Sequence, residues 1–207
     1  MQISEIFHSV QGESVYSGLP CVFVRLSGCN LKCSYCDTKY AENTAYELSA
    51  GEVFGQIDAF KHVKVAQITG GEPLLQKEVY ELFDILKYNG FLTLLETNGS
   101  MDLKYMPDHV CKIVDVKTPS SGFGESFLIG NLKHINPERD NLKFVIGDIN
   151  DYEWMKEFLS KNKVFGQHVL VSTVFSRIEP KTVVDRILKD GLDVRFQLQL
   201  HKYIDVK

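Results

Sequence analysis

Short runs of valine, isoleucine, leucine and phenylalanine recur along this chain at the length of a buried strand. Between them lie stretches in which apolar residues return every three or four positions. The runs at Val22–Leu26, Val65–Thr69, Leu92–Thr97, Ile113–Val116, Leu142–Ile146, Val169–Ser172 and Val194–Gln197 predict strands. Ser49-x-x-Glu52 has the capping-box pattern and predicts a helix running towards Phe60, while Val79, Leu82, Phe83 and Leu86 mark one face of a second helix that Gly90 ends. A third helix, with Asp151 as its expected cap, carries Trp154, Met155, Phe158 and Leu159. The fourth turns Val183, Val184, Ile187 and Leu188 inward and stops at Gly191.

Strands alternating with helices imply right-handed parallel crossovers, hence a curved sheet covered by helices. A full eight-unit barrel takes about 250 residues. The 207 residues here predict one domain, residues 1–207, folded as a partial, modified (β/α) barrel of the TIM type with about six units. Parallel barrels place their chemistry at the C-terminal ends of strands. Cys29 follows the first of the core strands, Gly70-Gly71-Glu72 the second, Glu96-Thr97-Asn98 the third, and Lys117-Thr118-Pro119 the fourth.

Composition narrows the function classes. The formal charge of -4 is mild and the 23 basic residues are scattered, so there is no footprint for nucleic acid or an anionic membrane, and a small-molecule substrate is expected. No apolar run reaches the roughly 18 residues of a membrane span, and Met1-Gln-Ile-Ser-Glu lacks the features of a signal peptide. The expectation is a cytoplasmic protein. Five cysteines, an odd and uneven set, argue for reduced thiols and a metal site over a disulfide framework.

Three of those cysteines form Cys29-Asn-Leu-Lys-Cys33-Ser-Tyr-Cys36, a C-x3-C-x2-C loop. A structural zinc site uses four ligands, whereas a 4Fe-4S cluster held by three leaves one iron open to a small molecule. Zinc, with a histidine or Cys111 as fourth ligand, is the competing reading, although no C-x2-C or H-x3-H partner follows at finger-like distance. Cys21 and Cys111 lie in apolar runs and read as small buried hydrophobes. Thr69-Gly-Gly-Glu-Pro73 joins a strand end to a helix start through two glycines that permit close backbone approach.

The cysteine spacing, the Asp37-Thr38 that follows it and the later Gly-Gly-Glu-Pro turn resemble the radical S-adenosylmethionine (SAM) superfamily. With Ser9-Val-Gln-Gly-Glu13, Arg25 and the terminal Gln199-Leu-His201-Lys202, the resemblance narrows to the 7-carboxy-7-deazaguanine synthase family. It implies a 4Fe-4S cluster on Cys29, Cys33 and Cys36, SAM on the open iron, and Mg2+ on Thr38. It further implies that Tyr35, Cys36, Asp37, Gly71, Glu72, Asp115, Val116, Lys117 and Ser172 form the SAM site, with Glu72 suited to the methionyl ammonium. Tyr35 stands where many members have tryptophan; either supplies an aromatic face.

The implied substrate is 6-carboxy-5,6,7,8-tetrahydropterin, which contracts to 7-carboxy-7-deazaguanine with loss of ammonia, the adenosyl radical taking hydrogen from C6 and SAM being regenerated. Val10, Gln11, Gly12, Glu13, Arg25, Thr69, Glu96, His201 and Lys207 are its expected contacts, the last through its main-chain carboxylate. The amide and carboxylate side chains suit the planar edge of a pterin, and Arg25 suits its carboxylate. No catalytic side chain is implied beyond the cofactor radical. The resemblance also implies a homodimer and an electron donor such as a flavodoxin. Two rivals share parts of the apparatus: a radical SAM activase that makes a glycyl radical on a partner protein, which needs neither the Gln-Gly-Glu opening nor the tail, and a zinc-dependent interaction module.

Overall fold

Nine strands form one sheet in the computed structural model of the chain, which describes residues 1–43, 46–166 and 168–207. They are β1 (Gln2–Val10), β2 (Pro20–Leu26), β3 (Tyr46–Glu47), β4 (Val65–Gly70), β5 (Leu92–Thr97), β6 (Val110–Asp115), β7 (Asn141–Ile146), β8 (Val169–Thr173) and β9 (Arg195–Phe196). Their order is β3-β1-β2-β4-β5-β6-β7-β8-β9. From β2 onward every pairing is parallel, while β1 runs antiparallel to both β2 and β3. The architecture is the expected partial barrel, with an antiparallel edge added.

Parity along each strand sorts the side chains into two layers. Val22, Val24, Ala66, Ile68, Val114, Leu142, Phe144 and Val171 belong to the larger core, which includes inward residues of the helices α1 (Ala50–Asp58), α2 (Val79–Tyr88), α3 (Ile149–Asn162) and α4 (Pro180–Asp190). The alternate positions line the concave side. There Leu94, Cys111 and Ile113 make a small apolar plug with Tyr16, and the positions nearer the strand ends turn polar: Gln67, Thr69, Glu96, Asp115 and Lys143.

The first and last strands do not pair. Side chains and loop backbone bridge them instead: Ser14 N donates to Gln197 at 2.7 Å, Gln199 Nε2 to Glu13 at 2.8 Å, and Leu200 N to the Gly12 carbonyl at 2.8 Å. A final short helix, α5 (Leu200–Ile204), rides on this bridge.

Several expectations shift. The strand β1 is not among those expected: it carries Ser4 and Glu5 side by side, with a register irregularity between Ile3 and Glu5 that breaks the alternation a strand normally displays. Asp151 does not cap α3. Asp148 does, accepting from Asn150 N and Asp151 N, because the Asp151 carboxylate is drawn into the core by Ser120 and the Gly147 N–H. Leu188 faces solvent although Val183 and Ile187 of the same helix are buried, since the covered stripe of α4 is narrower than its apolar pattern. The strand expected at Ile113–Val116 begins earlier and ends at Asp115, and the one at Val194–Gln197 shortens to Arg195–Phe196. Other expectations hold: Ser49 and Glu52 make both bonds of the capping box, and Gly191 ends α4 in the left-handed conformation. No helix among the described residues is long and apolar enough to cross a membrane.

Candidate active site

Beyond Leu26 the chain leaves the sheet and the cysteine loop begins, held by the strand ends around it. Glu72 N donates to the Gly28 carbonyl at 2.8 Å and Gly71 N to the Leu26 carbonyl at 3.1 Å. Asn98 Nδ2 donates to Asn30 at 3.0 Å, and Ser34 donates through its N–H and hydroxyl to the carbonyls of Ser121 and Ser120. The rims of three strands thus grip one irregular loop. Cys29, Cys33 and Cys36 all carry free thiols and all line a cavity of about 420 Å³. Burial pushes the Cys29 and Cys33 thiols above the usual cysteine range. Tyr35 lies beside them, its hydroxyl 3.3 Å from Thr118 Oγ1 and its ring 5.6 Å from the Arg177 guanidinium. Burial raises its phenol to about 12, so it stays protonated.

The same cavity is also lined by a charge-rich cradle. Lys143, in the middle of β7, contacts Glu96 and lies 3.0 Å from Glu13 and 3.6 Å from Asp115. Burial drives the Glu13 and Asp115 carboxyls up, but the neighbouring ammonium groups reverse this and hold both below the ordinary range. Gln67 links the strands by donating to Glu96 at 2.9 Å and accepting from Gln11. Arg25 pairs through Nε with Glu5 at 2.9 Å, and the Lys207 ammonium meets the same carboxylate. Lys202 reaches across from α5 to Asp37 at 2.7 Å, tying the tail to the cysteine loop. His201 is half-buried above Gly12, where burial lowers its imidazole pKa and favours the neutral ring.

Most of the residues singled out from the sequence therefore surround one space. Val10, Gln11, Gly12, Glu13, Arg25, Thr69, Glu96, His201 and Lys207 line the cavity, as do Tyr35, Asp37, Thr38, Gly71, Asp115 and Lys117. Glu72, Val116 and Ser172 stand outside this lining. Glu72 is fully buried and its oxygens accept from Leu74 N, Thr97 Oγ1 and Asn98 N, so it knits the glycine turn to the end of β5. Val116 joins the ladder by donating to the Lys143 carbonyl at 2.8 Å, and Ser172 is buried in β8 with no partner for its hydroxyl. The sequence reading passed over Lys143, Gln67 and the stacked Phe7–Phe23 pair, whose centroids are 5.0 Å apart. Lys143 and Gln67 had a signal: a polar residue inside an otherwise apolar buried strand.

Soft donors are what an iron–sulfur cluster requires, and the three thiols stand free around the cavity. Among the described residues no three His, Cys, Asp or Glu side chains are gathered closely enough for a single ion. The donor set fits a cluster, which Cys29, Cys33 and Cys36 would hold together at the cavity they line.

The sequence profile of the Radical SAM superfamily matches residues 23–189. A 7-carboxy-7-deazaguanine synthase of Koribacter versatilis is 42% identical, the likeness covering 99% of this chain and 96% of that protein. The Chlorobaculum tepidum protein of the same name is 40% identical over 99% and 94%. Among solved structures, QueE from Escherichia coli superposes with a TM-score of 0.75 over 95% of this chain and 93% of that one; at 24% identity this likeness concerns the fold. At the identities of the two synthases, sustained over almost the whole of both proteins, the chain belongs to the radical SAM superfamily and, within it, to the 7-carboxy-7-deazaguanine synthase family.

Proposed function

We propose that residues 1–207 act as one radical SAM domain that converts 6-carboxy-5,6,7,8-tetrahydropterin to 7-carboxy-7-deazaguanine with loss of ammonia, a carbon–nitrogen lyase step of deazapurine (queuosine) biosynthesis. The observation that carries this reading is one cavity lined both by the three loop thiols and by a carboxylate and amide cradle, in a chain so similar to proteins of that name. Its volume lies in the range of about 300–1,000 Å³ typical of small-molecule pockets. A 4Fe-4S cluster held by Cys29, Cys33 and Cys36 would, with SAM, supply the radical chemistry for hydrogen abstraction at C6 of the pterin.

The side chains bind and orient. Gln11 can donate and accept through its amide, while Glu13 and Glu96 accept from the pterin edge, with Val10, Gly12 and Thr69 beside them. Arg25, steadied by Glu5, meets the substrate carboxylate together with His201, and Lys207, whose ammonium also meets Glu5, lines the same cavity. Tyr35, Asp37, Gly71, Asp115 and Lys117 hold SAM, while Glu72 and Val116 support the strand ends that carry them and Ser172 offers a buried, unpartnered hydroxyl on the same side of β8. Thr38, whose hydroxyl lies 3.7 Å from Cys36 Sγ, offers a hard oxygen to Mg2+ beside the thiols. The reading includes a homodimer in the cytoplasm and a low-potential donor such as a flavodoxin. Five unpaired thiols are in keeping with a reducing compartment.

The direct test is anaerobic reconstitution with iron and sulfide, addition of SAM, reductant, Mg2+ and the tetrahydropterin acid, and separation of products by mass. Formation of the deazaguanine acid is expected, and wild-type protein that cleaves SAM yet leaves the pterin intact would overturn the reading. Thr38→Ala is expected to lose the Mg2+ dependence of turnover; an unchanged response across a magnesium titration would show that the hydroxyl is structural.

Gly12→Ala tests the tail. A Cβ at Gly12 would overlap His201 Nδ1 and sit 3.0 Å from His201 Cβ. We expect iron content to stay the same and the KM for the pterin to rise roughly ten-fold, the scale on which removing one hydrogen bond weakens binding in a buried site. An unaltered KM would show that His201 is dispensable for binding.

A further inference from the structure

Lys143 is an anomaly of composition. Its strand neighbours Leu142 and Phe144 pack in the helix-facing core, while its own side chain, 4% exposed, turns to the concave side. There its ammonium contacts Glu96 and lies 3.0 Å from Glu13, residues that come from another strand and from the loop after β1. Each carboxylate is held at both oxygens. Glu13 gives Oε2 to Lys143 and Oε1 to Gln199; Glu96 gives Oε1 to Lys143 and Oε2 to Gln67. These two acids, which would repel one another, are therefore fixed around one cation on the cavity wall; Asp115, 3.6 Å from the same ammonium, has Lys117 as its closer partner at 2.8 Å.

We propose that Lys143 is the positioning residue of the substrate cradle, locking the Glu13 and Glu96 carboxylates side by side as acceptors for the donor edge of a planar heterocycle. This rests on the pterin reading above and adds to it the residue that sets the cradle's geometry. Without the cation, two facing carboxylates in a sheltered site favour sharing a proton, and an acid that has become a donor no longer matches N–H groups on the substrate. A purely stabilising role fits poorly. Buried ions contribute little to stability compared with apolar residues of similar volume, and the apolar alternative was available throughout this strand.

The test compares wild type, Lys143→Met, Lys143→Arg and the double variant Lys143→Met/Glu96→Gln, each reconstituted, for iron per chain and for the KM of SAM and of the tetrahydropterin acid. If wild-type protein does not turn the pterin over, the functional reading fails, whatever the variants do. If it does, Lys143→Met is expected to raise the pterin KM about ten-fold or more while iron content and the SAM KM stay within about two-fold, with Lys143→Arg recovering most of the loss. The double variant removes the uncompensated charge along with the lysine, so it should keep its iron even where Lys143→Met does not, and retain the high pterin KM. A pterin KM unchanged in Lys143→Met, a parallel rise in both KM values, or loss of iron in the single and double variants alike would overturn the proposal.

Discussion

Replacing Cys29, Cys33 or Cys36 by serine is expected to leave a folded chain that holds no cluster, cleaves no SAM and forms no product above background. Serine is nearly isosteric with cysteine, but its hydroxyl is a hard, weakly acidic donor that cannot substitute for thiolate on iron. No other thiol stands in reserve. Cys21 is sealed inside the barrel, where burial raises its thiol to about 12, and Cys111 is part of the apolar plug, 3.3 Å from the Tyr16 hydroxyl. Cys21→Ser and Cys111→Ser should therefore keep the wild-type complement of about four irons per chain. Iron and sulfide analysis with the visible absorption spectrum checks both halves. Stoichiometric zinc with no iron–sulfur absorbance in wild-type protein would falsify the cluster assignment and revive the zinc alternative.

Gly71→Ala should be almost as damaging, although it touches no ligand. A Cβ there would overlap the Gly28 carbonyl oxygen and lie 2.9 Å from Cys29 Cβ. That carbonyl is the acceptor for Glu72 N, so the side chain has to prise the glycine turn off the cysteine loop at the bond that joins them. Neighbouring Gly70 adopts φ +134 and is pressed against the backbone of Leu26, so the turn has no slack on that side. The obstacle is backbone, with no flexible tip to move, and relief by shifting the loop costs about 1–3 kcal/mol or more. Iron content should fall by more than half and turnover close to background. Gly55→Ala in α1 is the control: nothing lies within 4 Å of its Cβ, and a helical alanine there should stabilise the fold by about 1 kcal/mol with activity retained. Wild-type iron content in Gly71→Ala would show that the loop can move aside freely.

The strand and helix pattern was legible wherever a segment had one clean period. The strand Leu92–Thr97, the Ser49 capping box and the Gly191 stop follow from local rules, because each depends on residues within one turn or one strand. Reading failed where tertiary contacts override local preference. Two aspartates near the start of α3 compete for the cap, and Asp148 takes it only because Ser120 and Gly147 engage Asp151. The irregularity in β1 hides a strand whose pairing with β2 closes one side of the site.

The candidate site divides the same way. Three cysteines in eight residues, two adjacent glycines before Glu72 and the Gln-Gly-Glu opening are local, and from them the sequence by itself determined the kind of donor set and the kind of turn. What only the tertiary structure decided is which polar groups meet. With 27 acidic residues to choose from, nothing in the neighbourhood of Lys143 says that its ammonium faces Glu13, 130 positions away, or that Glu72 commits its carboxylate to the end of β5. Such pairings depend on how far the sheet curls and on the direction each strand end points. Those are set by the packing of all nine strands and their helices together, and a pattern read along one segment does not contain them.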